Sequence, residues 1–408
     1  MFRTNITFRI LAISILVSGL IALLVFGNLS FARANPGGLD YLAHWQGTRS
    51  FLKIGVDPYS EQNAITINSL IVEMGVEESG NYRFVSPLIS FIVLVPFSLV
   101  KDFTVARAVW MTFLELMLFA SVWLVAKWLR PLPNVLKVAF VLISMICYYP
   151  MVKGLLDGSL AVVCFALLIL VIHLLIHHHD EAAGVILALT LIKPDMAYPF
   201  IVVILVWAIA NRRLQMVWWL LGSIFLLIGF TMVLIPAWPI SYIKSIINFS
   251  AYNPVRETEL APTALAIRLL LAKNLALLVM IVFELLSEKT RGSKRLLWFT
   301  GLLLILSPLV GGAVRIEHLT LIMPGVFIGL GFILDFWQGK GKWLVFIVPG
   351  VIVFLSWIFS GFLFTGISPK WNMLVLSLII PTLALLLIYW SRWWVIRQEK
   401  FSLEEITK

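Results

Sequence analysis

Hydrophobic positions run along this chain in long blocks, with polar positions confined to short intervals between them. A first apolar run extends from about Thr7 to Gly27, and a mixed stretch from Asn28 to Arg83 follows it. Further runs lie at about 84–100, 104–129, 133–150, 155–178, 181–210, 214–236, 263–287, 296–310, 318–336, 343–365 and 372–390. Many approach or exceed the roughly 20 residues that a membrane-crossing helix needs. The pattern predicts an all-α polytopic membrane protein, a transmembrane helical bundle of about 11–14 spans. We read residues 1–408 as one transmembrane domain, with 28–83 as a helical loop and 391–408 as a tail.

The polar stretch Pro36–Ser60 is the exception to the apolar blocks. Read as a helix from Leu39 to about Ile54, it places Asp40, His44 and Gly47 on one stripe, at i, i+4 and i+7. Tyr41, Trp45, Thr48 and Phe51 form the neighbouring stripe, which suits a membrane interface. Gly55 stops the helix, and Asp57-Pro58-Tyr59 makes a turn. A bland alternative is an interfacial helix whose Asp40 is a solvated cap. A second short helix is expected over Ala64–Met74.

Composition agrees with the pattern: 61% hydrophobic and 13% charged residues, with a mean hydropathy of +0.99, describe no soluble domain. The net charge of +10 is not a nucleic-acid footprint, because basic residues are dispersed at the ends of apolar runs. They report orientation instead. Lys127, Arg130 and Lys137 mark one inside loop. Arg212 and Arg213 mark the next, then Lys289 to Arg295, Lys340 and Lys342, and finally Arg392, Arg397 and Lys400. Both termini are therefore expected in the cytoplasm, with Asp40 outside. The alternation holds only if 181–210 leaves and returns, broken by the proline of Lys193-Pro194-Asp195. Between Asn81 and Lys127 an odd number of crossings is needed. Either 104–129 is a hairpin bending near Glu115, or 84–100 is re-entrant, since Pro87 and Pro96 interrupt it. The first run is longer than a signal-peptide core, so it is expected to be retained despite Ala32-Arg33-Ala34. The two cysteines, Cys147 and Cys164, lie in apolar runs, which argues against a disulfide framework or a thiolate metal site.

Ionisable groups at membrane depth are costly and mark function by default. On the expected topology, Asp40, Arg83, Lys153, Asp157, Lys193, Arg315, Glu317 and His318 all gather at the outer ends of segments. Taken singly, each reads equally well as a helix-end residue that snorkels to the interface. His177, His178 and His179 with Asp180 and Glu181 read as a solvated turn. No nucleotide-binding loop and no His-Glu-x-x-His motif is present.

These residues fall in an ordered series that resembles the polytopic GT-C glycosyltransferases, and within them glycosyltransferase family 87, the mannosyltransferase-like proteins. The series comprises Leu39-Asp40-Tyr41 with Trp45, Asp57-Pro58-Tyr59, and Tyr82 to Pro87. It continues with Arg107 and Trp110 as Arg-x-x-Trp, Leu189 to Pro194 as Leu-x-x-x-Lys-Pro, Asn248-Phe249-Ser250, and Leu306-Ser307-Pro308 followed by Glu317-His318. The resemblance covers roughly residues 7–330. Two positions depart from it. Gly158-Ser159 stands where the family has Gly-Gln, and Val314-Arg315-Ile316 replaces a tryptophan before the late histidines.

The resemblance implies a GT-C-like bundle and a polyprenyl-phosphate-linked sugar donor. It also implies a glycan or glycolipid acceptor, an active site on the outer face of the plasma (inner) membrane, and membrane lipids around the helices. Asp40 is the expected general base of an inverting transfer. Lys193, Arg315 and His318 would meet the lipid phosphate, with Arg83 and Lys153 behind them, and Glu317 would orient His318 or bind sugar. His44 and Asp157 join this substrate-binding set. No cofactor and no metal is expected. A transporter or flippase of lipid-linked or anionic substrates is the main alternative. A ligase or polymerase moving a lipid-linked glycan is another.

Overall fold

In the computed structural model the described residues are 6–76, 81–129, 134–248, 264–287, 292–310, 315–337, 340–360 and 369–406. Among them the protein is all helix and turn, without strands. Helix α1 (Ile6–Ala34) leads into α2 (Leu39–Ile54) and α3 (Glu61–Glu73). A 3-10 turn at Leu88–Ser90 opens α4 (Phe91–Ser98), and α5 (Phe103–Ala126) follows. Next come α6 (Asn134–Ile146), α7 (Tyr149–Asp157), α8 (Leu160–Ile176), α9 (Asp180–Leu189) and α10 (Pro194–Ala210). Then follow α11 (Leu214–Leu234), α12 (Trp238–Ile247), α13 (Ala264–Ser287) and α14 (Ser293–Leu306). A 3-10 turn at Ile316–Leu321 opens α15 (Ile322–Phe336), before α16 (Trp343–Ile358) and α17 (Pro369–Ile406).

Among the described residues, five helical stretches are long and apolar enough to cross a membrane: Ser14–Ala34, Phe103–Ala126, Leu214–Leu234, Ile316–Phe336 and Leu378–Val395. The pair α6–α7 makes a sixth if its 68° bend is counted as one span. Shorter apolar helices lie at Leu88–Ser98, Leu160–Ile176, Pro194–Ala210 and Trp343–Ile358. The outer helices leave their large side chains open: Leu16 is 74% exposed, Phe26 68% and Phe225 77%. Such apolar surface is stable only against lipid. Helix α8 lies at the centre and is buried nearly all round, as its unbroken apolar sequence requires.

Helix α5 runs unbroken through Glu115, so there is no hairpin. Asn28 of α1 donates to Glu115 Oε2 at 2.9 Å and to Thr112 Oγ1 at 3.0 Å, which satisfies the acid inside the α1–α5 contact. Helix α4 has 8 residues, about 12 Å, less than half the hydrocarbon thickness. It packs on α2, and Arg49 of α2 caps its end by donating to the carbonyls of Ser98 at 3.0 Å and Val100 at 3.1 Å.

The expected break at Lys193 is present. Helix α9 ends in a 3-10 turn at Thr190–Ile192, Lys193 takes φ −136° and ψ 75°, and Pro194 starts α10. Proline at the first helical position loses no hydrogen bond there. The two cysteines are unpaired.

Candidate active site

Helix α2 forms over the expected residues, Leu39 to Ile54, and Gly55 ends it in the left-handed conformation. Its aromatic stripe does not face the interface. Tyr41, Trp45 and Thr48 are buried where α2 packs on α4 and α5. Tyr41 stacks on Trp110 at 5.2 Å and on Phe103 at 5.9 Å, and Trp45 meets Phe103 at 5.4 Å. Amphipathic rings suit an interface, but here α5 stands opposite and the area buried inside the protein is the larger gain.

The other stripe sets the position of Asp40. The His44 ring is buried, its Nδ1 donating to the Asp40 backbone carbonyl and its Nε2 meeting Ser86 Oγ. With a carbonyl on one side, the neutral ring carries its proton on Nδ1 and accepts from the Ser86 hydroxyl. Burial lowers the His44 pKa, and the nearby Asp40 charge only partly opposes that. Both ring nitrogens are thus engaged by protein, and His44 fixes the segment 84–90 to the first turn of α2. Tyr59 adds a second tie, donating to the Ser86 carbonyl at 2.6 Å.

Helix α5 clamps the far side. Arg107 is buried, donates to Asn35 O at 2.7 Å and to Leu156 O at 3.2 Å, and so joins the α1–α2 link to the end of α7. Trp110 Nε1 donates to Gly158 O at 2.8 Å. Gly158 has φ +68°, and a Cβ there would stand 2.6 Å from Tyr41 Cβ. Only glycine allows α2 and the α7–α8 turn to meet this closely. The Arg-x-x-Trp of the sequence is therefore a clamp that brings Asp157 toward Asp40. Ser159 at the departing Gly-Gln position caps α8, its hydroxyl accepting from Ala161 N at 3.3 Å.

The other charges arrive from three separate segments. Lys193, at the α9–α10 break, is buried, and its Nζ stands 3.9 Å from Glu317 Oε1. Asp195, in the first turn of α10, lies 3.5 Å from Arg315 NH1 and 3.1 Å from His318 Nε2. The last contact lacks the alignment of a hydrogen bond. Lys153 and Asp157 of α7 pair at 2.7 Å. The groups form one electrostatic cluster: the charges of Asp195, Asp40, Glu317 and Arg315 bear on Lys193, and those of Lys153, Asp40 and Glu317 bear on Asp157. Asp195 is 41% exposed although protein surrounds it, so the cluster opens to solvent as a concavity.

Of the residues singled out in the sequence, Asp40, Lys153, Asp157, Lys193, Arg315, Glu317 and His318 come together. Arg83 forms an ion pair with Glu61 at 2.6 Å. The sequence reading passed over Asp195, and also Tyr242 of α12, whose phenol lies within electrostatic reach of Asp195 and Arg315. The first had a signal: an acid two residues after a membrane-depth lysine, at a helix N-terminus. Of Asn248-Phe249-Ser250, the last two residues lie outside the described residues, as does Val314. Among the described residues, no three His, Cys, Asp or Glu side chains are grouped to hold a metal ion.

An arrangement of this kind offers a carboxylate that can take a proton next to cations that can meet an anionic leaving group. Residues 84–253 match the family model of Glycosyltransferase family 87. That stretch holds the Arg107–Trp110 clamp, the Lys153–Asp157 pair and the Lys193 break, while Asp40 and the Arg315–His318 turn lie outside it. No curated protein and no solved structure matches the chain. Over that segment, about two fifths of its length, the chain is similar to the membrane glycosyltransferases of family 87.

Proposed function

We propose that the protein moves a sugar, a mannose-like hexose or a pentose, from a polyprenyl-phosphate donor to a glycan or lipid acceptor on the outer face of the membrane. The observation that carries this reading is the convergence of Asp40 with Lys193, Arg315 and His318 at one end of an apolar bundle. A soluble nucleotide sugar would not need lipid-facing helices around its site. A lipid-linked donor does, because its tail stays in the bilayer while its phosphate reaches the rim.

In this reading the acceptor hydroxyl approaches Asp40. The carboxylate takes the hydroxyl proton as the oxygen attacks the anomeric carbon. The bond from that carbon to the phosphate oxygen breaks on the opposite side, and its electron pair stays on the phosphate. Configuration at the carbon inverts. Lys193, Arg315 and His318 meet the charge that develops on the leaving phosphate. Asp157 and Glu317 are placed to accept hydrogen bonds from sugar hydroxyls, with Lys153 holding Asp157.

Asp40→Asn keeps the shape of the side chain and removes the base. Transfer by the purified variant should fall by about 10²–10⁴-fold, with donor binding and thermal stability near those of the parent protein. Normal turnover would remove Asp40 from the mechanism. Orientation has its own check. A cysteine placed by Ser60→Cys should react with a membrane-impermeant thiol reagent on intact cells. Labelling that requires permeabilisation would put the site on the cytoplasmic face.

A further inference from the structure

The carboxylate at the centre of the cationic group is Asp195, which the reading above does not use. The ion pairs there are loose. Lys193 and His318 are only 9% and 8% exposed, yet Lys193 stands 3.9 Å from Glu317 and His318 meets Asp195 out of line. Arg315 stands 3.5 Å from Asp195. Charge-assisted hydrogen bonds run at about 2.7–2.9 Å. Elsewhere the chain makes close pairs, with Arg83–Glu61 at 2.6 Å and Lys153–Asp157 at 2.7 Å. Lys294–Asp335, at 3.3 Å, is more open to water, at 49% and 38% exposure, where a loose pair is ordinary. Lys193 and His318, buried and held in this way, are neutralised in sum but not closely engaged.

Asp195 also differs in place from the other acids. It is in the first turn of α10, where the helix N-terminus favours a negative charge. It is exposed to the concavity while Arg315, His318 and Lys193 surround it. An incoming phosphate would seek the same cations from the same opening.

We infer that Asp195 is a displaceable counter-anion. It neutralises Arg315, His318 and Lys193 while no donor is bound, and the lipid phosphate must compete with it for those cations. The inference rests on the lipid-phosphate reading proposed above. The consequence is directional. By competing with the phosphate, Asp195 weakens binding of both the donor and the prenyl phosphate left after transfer, and so speeds release of that product. It is a positioning residue, acting through the cations rather than on the sugar.

The test uses the full-length protein in lipid nanodiscs, with farnesyl phosphate as probe and farnesol as its uncharged control. The parent protein should bind the phosphate in preference to the alcohol; absence of that preference removes the donor reading itself. Asp195→Asn should bind farnesyl phosphate about tenfold more tightly, with farnesol binding unchanged. In turnover the same variant should lower both KM for the donor and kcat, and Asp195→Glu should return both toward the parent values. If Asp195→Asn lowers thermal stability, farnesyl phosphate should restore it by filling the vacated place. Unchanged or weaker phosphate binding by Asp195→Asn overturns the inference while leaving the donor reading intact. So does a destabilised variant that farnesyl phosphate does not rescue.

Discussion

The two ends of the helix bundle hold their charges in different ways. At one end, Asp40, Asp157, Lys193, Asp195, Arg315 and Glu317 come from four separate segments and face a common opening. Their central contacts are long, and each cation answers to more than one acid. At the other end, where α8, α9, α10 and α11 meet, the central cation, Arg213, has one acid of its own. Arg213 bonds Asp180 through two nitrogens, donates to Leu175 O at 3.1 Å and lies over the Trp207 ring at 5.2 Å. Gln215 donates to Glu181 beside it. A hollow of about 420 Å³ is open there, lined in part by His178, Arg212 and Ser293, but the bonding of Arg213 belongs to the fold. One end ties helices together; the other keeps charge available. The same residue types therefore carry opposite meanings, and partner geometry tells them apart.

A matched pair of substitutions tests that contrast most strongly. Lys193→Met removes the charge but keeps the length of the side chain. At the open end it should weaken binding of a prenyl phosphate by roughly tenfold to a hundredfold, at about 1 kcal/mol or less in stability, since Arg315 and His318 remain beside Asp195 and Glu317. Arg213→Met does the reverse. It leaves Asp180, 17% exposed, without its partner and removes the ties to Leu175 and Trp207. A loss of about 2–4 kcal/mol in unfolding free energy is expected, with the donor KM unchanged. Thermal unfolding and binding on the same preparations decide it. If Lys193→Met destabilises the protein and leaves prenyl phosphate binding alone, the open end is a structural ion-pair network too and the contrast fails.

How far this contrast could be read from the chain depends on what each feature needs. The helix over Leu39–Ile54, its stop at Gly55 and the break at Pro194 are local, set by periodicity, a glycine in the left-handed region and a proline at a helix start. All three are legible from residue order. The burial of Tyr41 and Trp45 is not, because one helix's periodicity shows which residues share a face and not what stands opposite. Glu115 likewise reads as a bend until Asn28, 87 residues away in sequence, supplies its partner. Asp195 was hidden differently. Next to Lys193 in sequence it suggests a local pair, but the helix break turns it to Arg315 and His318, more than a hundred residues on. The convergence of charges could be expected from alternating loop charge; which acid meets which cation could not.

The smallest effect concerns acid sensitivity confined to the site end. His44 is buried, its neutral ring is satisfied on both nitrogens, and burial holds its folded pKa below the usual histidine value of about 6.5. The unfolded chain therefore takes up the proton first as pH falls. Stability is intact above the unfolded value, and it declines as pH drops from there toward the lower folded value, by at most about 1.4 kcal/mol per pH unit. Below the folded value the decline levels off. His44→Gln offers an amide that cannot titrate, so its stability should fall less between pH 7 and pH 5 than that of the parent protein. The remaining histidines are common to both, and the difference between the two curves isolates His44. Because His44 ties the start of α2 to Ser86, transfer activity should show the same difference through displacement of Asp40. Parallel unfolding curves over that range would mean that the His44 contact adds nothing to the docking of α2. The placing of Asp40 would then rest on the Arg107 and Trp110 clamp alone.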